Sequence, residues 1–517
     1  MIRSSRLLAT AAVALVLAGC GGTSSDTSRD AAGDPVSGGT ATVIQITEPR
    51  SLDPAIMSNT WPFNAFLGNA LYGTLMINKP ETGEIEYKLA ESFTTEDNGA
   101  TFELRLHEGL TFSDGSPLNA EAVKFNWDRI KDPSLGSASI PEASLVSSTE
   151  VVDATTVKVT LVAPVPNYAQ AVVSTSMNWI GSPAALQKGQ QAFDTNPIGA
   201  GPFTVDSWTR QDRIELVRNA GYWDAPRPYL ERIVLRTNTD SNQRVNTLIS
   251  GGADVVIDTN WETIARARDM GYDTEVQPLN GGQYLAMNAR RAPFDDVRAR
   301  KAVAAALDVG AMNQSVYNGK GEVPTTLFTE SSPYFVDAPL VRPDKAAAQR
   351  LFDELAAEGK KVSFTFKSFP SPESKAASES VQAQLSAFRN VEVKVQTIDH
   401  TDSSKLVATK DFEMVISSAL FVDPEPRLWA VFHGDSRSNM SGIDDEQLNV
   451  ALEKGRTSTN EQDRKAAYDA VQQRLTELVP GVFYTRGSPA AVLGKNVYGA
   501  VQYGNGSLLP EELWIQP

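Results

Sequence analysis

With a single cysteine in 517 residues, the chain cannot close a disulfide on itself, and histidine is almost as scarce at three residues. Those three, His107, His400 and His433, have no histidine or cysteine neighbour at ligand spacing, which argues against a zinc centre or a His-rich nickel site. The hydrolase patterns G-x-S-x-G, S-x-x-K and H-E-x-x-H are all missing, and no P-loop occurs. Long apolar runs are missing too. The run from Leu7 to Ala18, interrupted only by Thr10, falls short of the roughly 20 residues that cross a bilayer. Basic residues are outnumbered, 47 Lys and Arg against 63 Asp and Glu, for a net charge of −16. Such a surface disfavours nucleic acid and anionic lipid headgroups as partners. What remains is a hydrophobic fraction of 41%, ordinary for globular proteins, in a chain long enough for two or three domains.

The one cysteine has an informative position. Arg3 and Arg6 precede the apolar run, and the small residues Ala18 and Gly19 lead into Cys20. A basic start and a short apolar stretch suit a secretory signal peptide, and "LAGC" resembles the bacterial lipobox. The resemblance implies a lipoprotein signal over 1–19, cleavage before Cys20 and acylation of its thiol; a plain secretory signal with a chance cysteine is the alternative. Residues 20–38, rich in Gly, Ser, Thr and Asp and without aromatics, read as a flexible tether. The folded part is expected outside the cytoplasm, on the outer face of the cytoplasmic membrane and held there by the lipid anchor alone.

Further along, periodicity and capping signals place the elements. Residues 40–46, 101–106, 156–162, 213–218, 231–236, 254–257 and 283–288 read as strands. Asn119 caps a helix whose Val123, Trp127 and Ile130 share a face, and residues 241–250 suit a second helix, stopped by Gly251 and Gly252. "FDDVRARKAVAAAL" starts a helix with two acids in its first turn. Within 344–418 the order is helix, strand 362–368, helix 373–389, strand 391–398, short helix 402–409 and strand 412–418. Strand–helix–strand–helix–strand predicts a parallel α/β layout with right-handed crossovers. Ligands in such sheets sit beyond the carboxyl ends of the strands, which singles out loops 369–372 and 419–426.

Several blocks together resemble the extracytoplasmic solute-binding proteins of ABC importers, in the cluster that carries peptides and nickel. They are "SLDP" (51–54), "LYGTL" (71–75), the stretch 89–130, "PIGAGPFTV" (197–205), 216–236, 284–308 and "DPEPRLWAVFHGDSRSN" (423–439). The resemblance implies an α/β, two-lobed periplasmic-binding-protein fold of the Venus-flytrap kind, in its larger three-domain cluster C form. Domain I would take 39–75, 197–277 and 488–517, domain II 76–196 and domain III 278–487, with hinge crossings near 276–284 and 482–490. It implies a monomeric receptor that closes on a small organic solute and delivers it to ABC permease subunits, with no cofactor, no metal and no catalysis. A sensor or scaffold of the same fold without transport is the alternative, and an extracytoplasmic hydrolase a more distant one.

A solute held by two lobes needs aromatic walls and a few polar groups. Glu48, Trp61 and Trp261 are candidates from the first lobe, Tyr284 from the hinge, and Phe369, Leu420, Phe421, Asp423 and Trp429 from the second. Arg486 is a candidate for a carboxylate, although a hinge ion pair would use it equally well, and each aromatic could equally be core. Many peptide binders that the chain resembles carry an Asp three residues before the Asp-Pro that matches Asp423-Pro424, where it pairs with the peptide amino terminus; here that position is Leu420. Leucine cannot partner a buried ammonium. Either another acid such as Glu48 or Asp423 does so, or the solute has no amino group there.

Overall fold

The structure, a computed structural model, describes residues 33–340 and 343–516. The expected signal peptide, Cys20 and the part of the expected tether up to residue 32 lie outside them. Three sheets organise the rest. A seven-stranded sheet runs in the order 273–276, 490–493, 255–258, 40–45, 232–237, 213–218, 203–209, so its strands come from three separate stretches of chain. Strand Thr40–Gln45 lies at its centre, parallel to both neighbours. A four-stranded antiparallel sheet is built wholly from Ala90–Thr94, Thr101–Leu106, Val146–Val151 and Thr156–Leu161. A five-stranded sheet runs 391–397, 362–368, 414–421, 280–287, 481–485.

The parallel set read from 344–418 forms the first three strands of that last sheet, with 362–368 in the middle and parallel to both neighbours. Strand Asn280–Met287 then pairs antiparallel on both sides. Its period of two serves two cores: Leu285 and Met287 enter one, Tyr284 and Ala286 the other. Near its start Gly281 has φ +73°, and a Cβ there would meet the Ala419 carbonyl oxygen at 1.7 Å. Only glycine fits that approach.

Helix Ala120–Ile130 starts where the sequence places it, with the Asn119 side chain accepting from the Ala122 amide at 3.1 Å. Its buried face includes Val123, Trp127 and Ile130, and the Trp127 indole donates to the Met177 carbonyl at 2.8 Å. The helix expected from "FDDVRARKAVAAAL" starts later than its acids suggest. It spans Val297–Ala306, and Asp296 is its cap rather than part of its first turn. The chain leaves the seven-stranded sheet after Val276 and returns to it at Ala490, and the Gln277 amide donates to the Pro489 carbonyl at 3.0 Å. Between these two crossings the chain builds the five-stranded sheet, and residues from the end of its strand Met414–Phe421 line a cleft together with residues of the rest of the molecule.

Candidate ligand-binding site

The cleft encloses a cavity of about 340 Å³, within the size range of small-molecule sites. One wall comes from loop 58–63, helix Ile140–Ala143, residues 170–175 and Gly504–Asn505; the other is the end of strand Met414–Phe421 and the loop after it to Arg427.

The first wall is mostly amide and hydroxyl, and most of these groups are committed to the scaffold, although the buried Trp61 indole N–H has no partner among the described residues. The loop before it is pinned by Asp53, which is 1% exposed and held by both terminal nitrogens of Arg129. Asn59 donates to the Val173 carbonyl at 3.0 Å and accepts from Ser507 Oγ at 2.9 Å. Asn78 donates to Gln170 at 2.8 Å, and Gln170 donates to the Gly83 carbonyl at 2.6 Å. Ser139 and Ser176 hydroxyls lie 3.0 Å apart. Buried amides bonded this way cannot rotate cheaply, so the wall is preformed. Glu142 is its one acid. Burial raises its carboxyl above the ordinary range, opposed by its own backbone amide and by Arg427 across the cleft. Among the described residues no cation lies within ion-pair distance of it.

The second wall carries three charges in five residues. Asp423 accepts from the Glu425 amide at 2.9 Å, which fixes the loop, and both terminal nitrogens of Arg464 clasp its carboxylate. Glu425 is 2% exposed, and Oε1 lies 3.1 Å from Arg456 Nε. Burial pushes its carboxyl up to about 7, partly offset by Arg456. Arg427 opens helix Arg427–Phe432 and donates from Nη2 to the Ser418 carbonyl at 2.7 Å. Burial lowers the pKa of its guanidinium, while Tyr284 and Glu142 raise it. Among the described residues no carboxylate lies within ion-pair distance of Arg427. The cavity therefore holds a cation on one wall and an acid on the other, which feel each other's charge across the cleft without forming a close ion pair.

Of the ten candidates named from sequence, the structure brings Trp61, Leu420, Phe421 and Asp423 together in the cavity lining. Leu420 is half-buried and Phe421 is 2% exposed. The other six lie elsewhere. Glu48 accepts from the Trp208 indole and the Gln211 amide on the outer side of the seven-stranded sheet. The Trp261 indole donates to the Arg486 carbonyl at 3.2 Å and its ring packs on the second-lobe core, tying the lobes together. Tyr284 is fully buried between Phe432 and Phe483. Phe369 packs on the same core. Trp429 lies between the His433 ring and the Arg456 guanidinium and donates to Glu453 at 2.7 Å. Arg486, 5% exposed, gives its guanidinium to the carbonyls of Gly281, Leu327 and Thr326, so it clamps backbone beside the crossing instead of facing the cavity.

Sequence reasoning missed Glu142, Arg427 and Glu425. A signal existed for the last two, since they flank the Pro of a loop already singled out by its place beyond a strand end. None existed for Glu142, whose four-residue helix belongs to a distant stretch. Among the described residues no cluster of His, Cys, Asp and Glu could hold a metal ion, and no helix is long and apolar enough to cross a membrane.

The family described as bacterial extracellular solute-binding proteins, family 5 (middle region), matches residues 84–439. The glutathione-binding protein GsiB of Shigella boydii serotype 4 (strain Sb227) is 32% identical over 247 residues, 48% of this chain and 48% of that protein. The match thus spans about half the length of that curated relative. The structure of AgaA in complex with agropinic acid, from A. tumefacien R10, superposes with a TM-score of 0.80 at 24% identity, covering 93% of this chain and 99% of that one. A dipeptide-binding protein from Pseudoalteromonas sp. SM9913 in complex with Met-Leu gives 0.78 at 20% identity, covering 92% and 100%. At these identities the structures establish the fold.

Proposed function

Because the chain belongs to family 5 of the bacterial extracellular solute-binding proteins, we propose that it captures a small organic solute bearing a carboxylate in the cleft and hands it to an ABC permease. One observation carries the carboxylate. Arg427 lines the cavity half-buried, with no carboxylate within ion-pair distance among the described residues, and a partly desolvated guanidinium without a close partner favours a ligand that supplies one. Glu142, opposite, suits an amino group on the same solute. A solute touching both walls stabilises the closed arrangement, because a ligand favours the state in which it makes more contacts. In this reading 39–75, 197–277 and 488–517 form domain I, 76–196 domain II and 278–487 domain III, with the closing motion at the crossings near 277 and 486. Acylated Cys20 anchors a monomer on the membrane face, and the protein performs no chemistry on its cargo.

Relatives and neighbours suggest the first compounds to try: glutathione, the dipeptide Met-Leu and agropinic acid. The cavity of about 340 Å³ suits molecules of this size. The test is native mass spectrometry of the chain from residue 21, purified without added ligand, followed by thermal-shift measurements with the three compounds. A mass excess lost on denaturation identifies captured solute. A carboxylate in that solute, or a rise in melting temperature with any of the three, supports the reading. A bound solute with no anionic group sinks it.

A further inference from the structure

Glu425 stands apart from the other charges of the second wall. It is 2% exposed and lines the cavity, yet neither carboxylate oxygen has a hydrogen-bond partner among the described residues. Oε1 faces Arg456 Nε at 3.1 Å without the geometry of a hydrogen bond, and it has no water access. Oε2 is not among the sealed unpaired atoms, so it is the oxygen that opens on the cavity. A buried carboxylate held by charge alone is poorly stabilised, and its neutral form needs only one acceptor for its proton. Arg427 sits two residues on, and the carboxylate it would hold supplies that acceptor.

We propose that Glu425 is a specificity residue that acts as a proton carrier: in its neutral form it donates from Oε2 to an oxygen of the solute carboxylate held by Arg427, so that capture of an anionic solute takes up one proton. The proton comes from solvent and no covalent bond in the solute changes. This rests on the carboxylate reading of the cleft and adds to it a direction of pH dependence.

The charges packed around Glu425 support a carboxyl poised near neutrality. Arg456, from helix Glu446–Thr457, favours the ionised form; Glu453 on the same helix opposes it. Asp423 on its own loop also opposes ionisation, while Arg464 of helix Glu461–Leu478, which clasps that acid, favours it. Tyr468, on that same helix, is buried beside them and stays neutral. From the other wall the facing group is the acid Glu142. Burial dominates this balance and leaves the carboxyl at about 7 in the empty cleft. A second negative charge arriving at Arg427 raises it further. Anionic solutes should therefore bind more tightly as pH falls from 8 to 6.

The experiment uses the mature chain with ¹³C-labelled glutamate side chains, assigning the Glu425 carboxyl signal by its loss in Glu425→Gln. The expected midpoint lies near 7 in the empty protein and rises by at least one pH unit with millimolar glutathione, Met-Leu or agropinic acid. Wild-type affinity for the compound that binds should weaken about tenfold between pH 6 and pH 8, and Glu425→Gln should flatten that dependence. A midpoint below 5 overturns the proposal. So does a compound that raises the melting temperature but leaves the Glu425 midpoint in place, and in that case the carboxylate reading survives. If none of the three raises the melting temperature, the titration is repeated with the solute that native mass spectrometry recovers: an anionic solute that leaves the midpoint in place overturns this proposal alone, and a solute with no anionic group overturns the carboxylate reading and this proposal together.

Discussion

The two walls of the cleft solve the problem of a polar interior in opposite ways. The first wall is neutral except for Glu142, and its amides are satisfied by backbone and by one another, as in the chain Asn78–Gln170–Gly83. The second is charged, and two of its charges are met from behind: Asp423 by Arg464 and Glu425 by Arg456. Neutral networks are cheap to bury and rigid once complete. Buried ion pairs are expensive to break, because removing one partner strands the other. The first wall should therefore act as a fixed surface, while the second holds its loop by charge and leaves Arg427 over for a solute.

The largest effect should come from breaking a pair on the charged wall. Asp423→Ala leaves Arg464 buried opposite Tyr334 with no acid and frees the Glu425 amide, at an expected cost of about 3–5 kcal/mol. Gln170→Ala on the neutral wall should cost about 1–3 kcal/mol. Chemical unfolding of both variants measures the contrast, and equal losses would dissolve the distinction between the walls. Next comes Arg427→Ala. It removes one bond to the Ser418 carbonyl and should change stability little, but it should weaken a carboxylate solute by about 30-fold or more in titration calorimetry. Glu142→Gln should do less, about tenfold, and only for solutes with an amino group.

Leu420 tests the same wall at its apolar end. It is half-buried in the cavity lining, and its side chain packs so close to Gly487 that a Cβ there would lie 2.8 Å from it. Leu420→Asp puts an unpaired acid beside Asp423 and should weaken the native solute by more than tenfold, or roughly 1.4 kcal/mol. Unchanged affinity in calorimetry would take Leu420 out of the site.

These comparisons also show what a sequence can reveal. Capping and periodicity placed helix 120–130 and strands 101–106, 213–218 and 362–368 well, because each depends on neighbours a few residues away. The loop after strand 414–421 was singled out from topology alone, and it lines the cavity. Arg486 shows why the rest was not. Its sequence context, at the end of an apolar strand, suits a carboxylate ligand, yet it is spent on three carbonyls, two of them about 160 residues away in sequence. Glu142 is the converse case, since it meets Arg427 only across a cavity whose two walls lie far apart in sequence. Such residues depend on tertiary neighbours that no local pattern encodes.

The smallest expected effect compares one carboxyl in each half of the molecule. Glu511, 5% exposed behind the first wall, is pushed by burial up to about 7, as Glu425 is in the second. For both, the folded state holds its proton more tightly than the unfolded chain. Their neutral forms therefore cost nothing below about pH 4.5, and stability declines as pH rises from there through about 7. Glu511→Gln should recover on the order of 1 kcal/mol at pH 8 and much less at pH 5, whereas Glu425→Gln, which also leaves Arg456 without its acid, should remove the pH dependence without that gain, read as denaturation midpoints. Only one of the two should respond to solute. Glu511 has no place in the cavity lining, so its pH dependence should be identical with and without a saturating anionic compound. That of Glu425 should move upward, because a solute charge beside Arg427 adds to the field that already resists its ionisation. If both moved together, the whole molecule would be changing state on binding; if Glu425 alone moves, the effect belongs to the charged wall.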